Sequence, residues 1–138
     1  MRFRVQFLAL LGAGVVAACG GGDAAQALGE AADPADADRT IEVSALDSLE
    51  FDPDDIEVEV GETITFTVTN EGDLEHEFVL GAPSEHAGHG GGGSNHLHLT
   101  AGVTDEIAWT FDEAGEVKFA CYVDGHDQSG MTGVITVK

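Results

Sequence analysis

One stretch determines the fold of this chain: Gly115-Glu-Val-Lys-Phe-Ala-Cys121-Tyr-Val-Asp-Gly-His126-Asp-Gln-Ser-Gly-Met131. In its first half, Val117, Phe119 and Cys121 occupy every second position, which is the period of a half-buried β-strand. Because successive side chains of a strand point to opposite faces, Cys121 is predicted to face the interior with Val117 and Phe119. The loop that follows can then bring His126 and Met131 back to the same place.

The same two-residue period recurs along the rest of the chain. It appears at Ile41 and Val43; at Ile56, Val58 and Val60; at Ile64, Phe66 and Val68; at Ile107, Trp109 and Phe111; and at Ile135 and Val137. Turn residues separate these runs, for example Asp52-Pro53 and Gly61-Glu62, and no long stretch has helical periodicity. The sequence therefore predicts an all-β sandwich of about seven or eight strands.

The N-terminus reads as an export signal. Arg2 and Arg4 precede an apolar run from Val5 to Ala18, which predicts a secretory signal peptide over residues 1–18 and not a membrane span. Cys19 follows small residues, as in bacterial lipoprotein signals, where the equivalent cysteine is lipidated; the alternative is an ordinary signal that happens to contain a cysteine. We expect an exported protein, periplasmic or at the cell surface, held to a membrane only through a lipid anchor.

Composition then divides the mature chain into a tether and one domain. Residues 19–38 are mostly Gly, Ala and Asp with little to bury, which predicts a flexible tether. Residues 39–138 are long enough for one compact domain and too short for two.

The charge of the chain excludes some partners. There are 26 acidic residues against five Lys and Arg, a net charge of -21. Such a surface disfavours nucleic acid and anionic lipid, and the scattered acids indicate a solvated, soluble surface. Steering toward a basic redox partner is the alternative interpretation. We expect a monomer.

The candidate ligands are His76, Cys121, His126 and Met131. A lipidated Cys19 leaves Cys121 as the one other cysteine, and a free thiol in an oxidising compartment needs protection such as metal ligation. The turn over residues 70–75 is predicted to deliver His76 from a neighbouring strand. A thiolate, two imidazoles and a weak axial thioether form the donor set of electron-transfer copper sites.

These residues resemble the cupredoxins, the small plastocyanin and azurin-like blue copper proteins. The resemblance covers residues 39–138 and includes the segments 51–61, Thr69-Asn70, 76–78 and 130–133. It implies a Greek-key β-sandwich with type 1 copper at one end, where His76, Cys121 and His126 are equatorial ligands and Met131 is axial. It also implies a one-electron carrier that exchanges electrons with redox partner proteins near the edge of His126. An enzymatic role is not expected, because such a site has no open coordination position.

Two positions depart from the family pattern. Glu77 stands where many members have an asparagine that ties the ligand loops together. Asp124 lies in the loop between Cys121 and His126 and is expected close to the metal, where an acid would favour Cu(II).

A second group of histidines comprises His86, His89, His96 and His98, around the glycine run at residues 90–93. Imidazoles suit Cu(II) or Zn(II), so the group is a candidate auxiliary metal site, while the alternative is a polar surface loop. The segment also resembles the metal-rich insertion of periplasmic copper-tolerance cupredoxins. Copper tolerance or copper handling is therefore the alternative function.

Overall fold

A computed structural model describes residues 28–81 and 94–138, which form two five-stranded sheets packed face to face around one hydrophobic core. The strands are β1 Gly29–Ala32, β2 Arg39–Leu46, β3 Glu50–Asp52, β4 Asp55–Val58, β5 Thr63–Asn70, β6 His76–Leu80, β7 His96–Leu99, β8 Thr104–Phe111, β9 Gly115–Ala120 and β10 Thr132–Val137. A short 3₁₀ helix occupies Pro34–Asp36.

The order of strands is β1-β8-β5-β2-β3 in the first sheet and β4-β10-β9-β6-β7 in the second. The pairs β2 with β5 and β4 with β10 are parallel, and the remaining pairs are antiparallel. The predicted all-β sandwich is confirmed. The described residues contain ten strands where the sequence predicted seven or eight, and strands β1, β3 and β7 have only three or four residues each.

Aromatic rings fill the space between the sheets and fix the direction of the strands that carry the ligands. The ring of Phe78 on β6 lies 5.1 Å from that of Phe119 on β9 and 5.7 Å from that of Phe51 on β3. Because Phe78 follows His76 by two positions and Phe119 precedes Cys121 by two, strand alternation turns both ligands toward the same interior. Both are fully buried.

The domain begins earlier than the sequence indicated. Residues 29–32 pair with β8 in the register Gly29 to Phe111 and Ala32 to Ala108, and Leu28 packs on the core. The prediction of a tether as far as residue 38 is therefore wrong for residues 28–38. A free sheet edge can pair with almost any backbone, including one of Gly and Ala, so composition did not reveal this strand.

The predicted signal peptide and Cys19 lie outside the described residues. No helix within residues 28–81 and 94–138 is long and apolar enough to cross a bilayer.

Candidate metal centre

Three of the predicted ligands converge at one end of the sandwich. His76 begins β6, Cys121 directly follows β9, and His126 lies in the loop between β9 and β10. Their donor atoms all lie within 4.8 Å of one another, and Cys121 Sγ is 3.4 Å from His126 Nδ1. The two imidazole centroids are 5.2 Å apart. Two elements and one loop thus supply a thiol and two imidazoles to a single point.

The environment of His76 fits a metal ligand. Its side chain is fully buried, and neither ring nitrogen has a partner at hydrogen-bond distance, the carboxylate of Asp47 lying 3.7 Å from Nε2. Burial is the main cause that lowers the pKa of His76, and the neighbouring His126 lowers it further. The imidazole is consequently neutral at physiological pH, which is the form that binds metals. Burying two unpaired nitrogens is costly unless a ligand takes up one of them.

The thiol of Cys121 is likewise buried, and its surroundings suit a metal-bound thiolate. Burial raises the pKa of this thiol, and the backbone N–H groups of Glu77 and Val123 lower it by a smaller amount. The Glu77 N–H lies 3.3 Å from Cys121 Sγ, so it can donate to a thiolate once a metal has displaced the proton. The thiol stays protonated near neutral pH until a cation binds.

Backbone hydrogen bonds close the loop that holds the other ligands. The N–H of Cys121 donates to the carbonyl of Met131 at 3.1 Å, and the N–H of Met131 donates to the carbonyl of His126 at 3.0 Å. Gly125 and Gly130 have φ angles of 81° and 105°, in the region where a side chain is strained. Met131 is fully buried in the same core cluster as Cys121. The loop therefore returns Met131 to the neighbourhood of the three clustered donors.

Asn70 shapes the turn that delivers His76. Its amide is fully buried, and Nδ2 donates to the carbonyls of Leu74 at 2.7 Å and Leu99 at 2.9 Å. Its Oδ1 accepts the N–H of Gly72 at 2.9 Å. One side chain thus satisfies backbone groups on both sides of the turn and fixes the start of β6.

Asp47, in the turn after β2, also binds the turn that leads into His76. Its Oδ2 accepts the N–H of Asp73 at 2.9 Å and its Oδ1 accepts the N–H of Leu74 at 3.0 Å. Oδ1 also lies 3.7 Å from Nε2 of His76. The N–H groups of Asp73 and then Leu74 lower the pKa of Asp47, so its carboxyl is ionised. Sequence reasoning missed Asp47, because one acid among 26 gives no signal until the fold places it.

The two departures from the family pattern have different outcomes. Glu77 ties β6 to the ligand loop through its backbone N–H, while its side chain is directed at His96. Asp124 is exposed in the loop between Cys121 and His126, and its effect on the metal stays a prediction. Burial is the main cause that raises the pKa of Cys121, and the charges of Glu77 and Asp127 raise it further.

The second histidine group is only partly described. His96 and His98 lie on β7 and share a face, as an extended segment predicts. Each has its own acid: His96 Nε2 lies 3.3 Å from Glu77 Oε1, and His98 Nε2 lies 3.1 Å from Glu75 Oε1. Among residues 28–81 and 94–138, no second set of three close donors accompanies the cluster around Cys121. His86 and His89 lie outside the described residues, and the auxiliary site stays a prediction.

Comparisons with known proteins agree with this geometry. The chain is 37% identical over 131 residues to the copper-resistant cuproprotein CopI of Rubrivivax gelatinosus, covering 84% of this chain and 76% of the relative. It is 34% identical over 152 residues to the protein of the same name from Pseudomonas aeruginosa, covering 82% and 83%.

A solved structure of reduced auracyanin from the photosynthetic bacterium Roseiflexus castenholzii superposes with a TM-score of 0.62 at 26% identity, covering 74% of this chain and 98% of that one. Residues 37–138 match the family model described as copper binding proteins, plastocyanin/azurin family. The match spans both sheets apart from β1, together with all four predicted ligands. The chain therefore belongs to the plastocyanin/azurin family of copper-binding proteins.

Proposed function

We propose that this protein binds one copper ion through His76, Cys121, His126 and Met131 and passes single electrons outside the cytoplasm. The observation that carries the proposal is the buried convergence of a thiol and two imidazoles within 4.8 Å, one imidazole having no hydrogen-bond partner at either nitrogen. Soft thiolate with imidazole is the donor chemistry of electron-transfer copper. Met131, buried at the end of the ligand loop, would supply the thioether as the fourth ligand.

The protein chain holds the donor side chains in fixed positions. Bound copper supplies a couple between Cu(II) and Cu(I). The donors lie on strand ends and on a loop closed by backbone hydrogen bonds, so they would keep one arrangement in both oxidation states of a bound copper ion. A fixed ligand set minimises the movement that accompanies electron transfer, and the apolar shell keeps water away from the thiolate.

His126 would be the route by which electrons reach and leave the copper. His76, Cys121 and Met131 are fully buried, whereas His126 is partly exposed. A partner that docks over this end reaches the metal through one imidazole. The proposal includes no enzymatic turnover, since four protein ligands leave no position for a substrate.

The proposal includes export and anchoring. Residues 1–18 act as the signal, Cys19 carries the lipid, and the folded domain works as a monomer beside redox partner proteins. Acids predominate on the domain, which favours a basic partner over nucleic acid.

Copper titration of the metal-free protein tests the site. Adding Cu(II) should produce an intense visible thiolate-to-copper band and a narrow copper hyperfine splitting in the electron spin resonance spectrum. Cys121→Ser should abolish the band, whereas His98→Gln, a control on β7, should leave it unchanged. A wild-type protein that takes up Cu(II) without this band would exclude a type 1 site.

Copper tolerance is the second candidate, and a specific observation favours it. Two relatives that each align with more than 80% of this chain are named copper-resistant cuproproteins. In this role the domain captures or transfers copper, with the group around His86, His89, His96 and His98 as an auxiliary site for Cu or Zn.

Growth and exchange measurements separate the two roles. A deletion strain should become sensitive to copper, and the wild-type gene should restore tolerance while the Cys121→Ser variant should not. A protein devoted to carrying electrons should instead retain its copper against a competing chelator, and its loss should leave copper tolerance unchanged. For the auxiliary site, Cys121→Ser protein that binds no Cu(II) or Zn(II) would reject that part of the proposal.

A further inference from the structure

We propose that Asp47 is a positioning residue of the metal centre: its carboxylate orients the imidazole of His76 and favours the Cu(II) state. This inference rests on the proposed copper site. It concerns a residue on a different turn from every ligand, so it can be tested separately.

The carboxylate of Asp47 is held in one orientation. Each of its oxygens accepts a backbone N–H, one from Asp73 and one from Leu74, at 2.9 and 3.0 Å. Those residues belong to the turn that leads into His76. The contact therefore fixes both the carboxylate and the chain that carries the ligand.

Gly72 allows this close approach. A Cβ atom at Gly72 would lie 1.9 Å from Oδ1 of Asp47 and 2.4 Å from its Cγ. Any larger residue there would displace the carboxylate from the turn. The glycine at this position thus makes room for the Asp47 contact.

Asp47 also lies beside the ring of His76, whose Nε2 is 3.7 Å from Oδ1. A carboxylate beside one imidazole nitrogen selects the tautomer that carries its proton there. The Nδ1 lone pair is then left for the metal, and Nδ1 has no hydrogen-bond partner in the protein. Asp47 consequently determines which nitrogen of His76 is the donor.

The same carboxylate acts on the metal through the ring. An anion next to a ligand imidazole makes that ligand more basic and stabilises the more highly charged metal ion. The side chain of Asp47 is 43% exposed, so solvent screens part of this effect. Asp47 differs from the other acids because its carboxylate lies at the edge of the His76 ring, and it does not merely add to the general negative charge.

Three variants test the proposal. Asp47→Asn keeps the shape of the side chain and removes its charge. Gly72→Ala keeps the charge and moves the carboxylate. Asp73→Asn is the matched control, because it removes one exposed charge from the same turn without a side chain at His76.

We expect the ratio of Cu(II) to Cu(I) affinity to fall about tenfold in Asp47→Asn, the lower end for substitutions behind a metal-bound histidine. A tenfold change is about 59 mV in a one-electron potential, measured by voltammetry, and the potential should rise. Gly72→Ala should shift it in the same direction, and Asp73→Asn should shift it far less. If Asp47→Asn does not fold, the potential of Gly72→Ala alone tests the proposal.

The proposal is wrong if Asp47→Asn and Asp73→Asn shift the potential equally, or if Asp47→Asn and Gly72→Ala both leave it unchanged. A second measurement needs no copper: nitrogen NMR of the metal-free wild-type protein should show His76 protonated on Nε2, and protonation on Nδ1 would overturn the proposal. Loss of the type 1 assignment itself would appear instead as a wild-type protein without the thiolate band.

Discussion

The thiol of Cys121 links copper binding to pH. Burial raises its pKa, so near neutral pH the metal-free protein carries a thiol that copper must deprotonate. We expect about one proton to be released from Cys121 for each copper ion bound at pH 8. His76 adds none, because its pKa is lowered and it is already neutral. Calorimetry in buffers of different ionisation enthalpy measures this number, and Cys121→Ser should show no such release.

The raised pKa of the Cys121 thiol also sets the sign of a stability effect at high pH. Above the pKa of an unfolded thiol, about 8.5, unfolded chains lose the proton while folded chains keep it. The metal-free protein should therefore lose stability as the pH rises through this range, and Cys121→Ser should lose less. Denaturant titration at a series of pH values checks the sign.

Asn70 should be the most sensitive polar residue outside the ligands. Asn70→Ala removes two donated hydrogen bonds and one accepted bond inside the protein, and each unsatisfied buried group costs about 1–3 kcal/mol. Asn70→Asp keeps the acceptor for Gly72 but sets a buried carboxylate against the carbonyls of Leu74 and Leu99, so it should destabilise the protein by more than the loss of the donors alone. Chemical denaturation of the metal-free protein gives both values. An Asn70→Ala protein as stable as wild type would show that water replaces the amide.

The candidate ligands could be predicted from their residue types and order in the sequence. The residues that position them could not. His76, Cys121 and His126 were identified because few other roles explain a free thiol and two histidines in that order. Asp47 was not, since its contact with the turn before His76 arises only when β2 and β6 are brought together by the fold. Long-range polar contacts of this kind have no local pattern in a sequence.

Strands β9 and β10 leave no room for a side chain at Gly133. Gly133 on β10 lies opposite Phe119 on β9, and a Cβ atom there would come within 2.1 Å of the phenyl ring and 2.6 Å of the Asp54 carbonyl oxygen. Gly133→Ala should therefore lower the free energy of unfolding by about 1–3 kcal/mol through overpacking. Val134→Thr, an exposed and β-branched control on the next position, should change it by less than about 0.5 kcal/mol. Equal effects of the two substitutions would contradict the packing argument.

The longest strands could be predicted from the sequence, and most of the short ones could not. Strands β2, β5 and β8 have eight residues each, long enough to show their period. Strand β7 has four residues, of which His96, Leu97 and Leu99 are buried, so its burial pattern does not alternate. Two histidines in four residues mask so short a strand, so the sequence predicts no strand there and leaves a metal site or a polar surface loop as the interpretations. Edge position compounds the problem, since edge strands need fewer apolar residues.

For the molecule as a whole, copper should act as a cross-link between β6 and the loop joining β9 to β10. A ligand that binds only the folded state adds about 2.7 kcal/mol of stability at a free concentration one hundred times its dissociation constant. For a domain of this size each kcal/mol raises the midpoint of thermal unfolding by about 4–8 °C. Anaerobic thermal scans with and without copper measure the increase, which a chelator should reverse. Cys121→Ser should show no increase, and a similar gain in that variant would place the stabilising copper elsewhere.

The early strand β1 determines how the molecule would face its surroundings. Leu28 packs beside Gly115 at the start of β9, whereas Cys121 lies just beyond the other end of that strand, about 20 Å away at a rise of 3.3 Å per residue. With a lipid on Cys19, the chain would join the domain at the pole remote from copper. The pole bearing His126 would then lie opposite the attachment point, where soluble donors and acceptors can reach it.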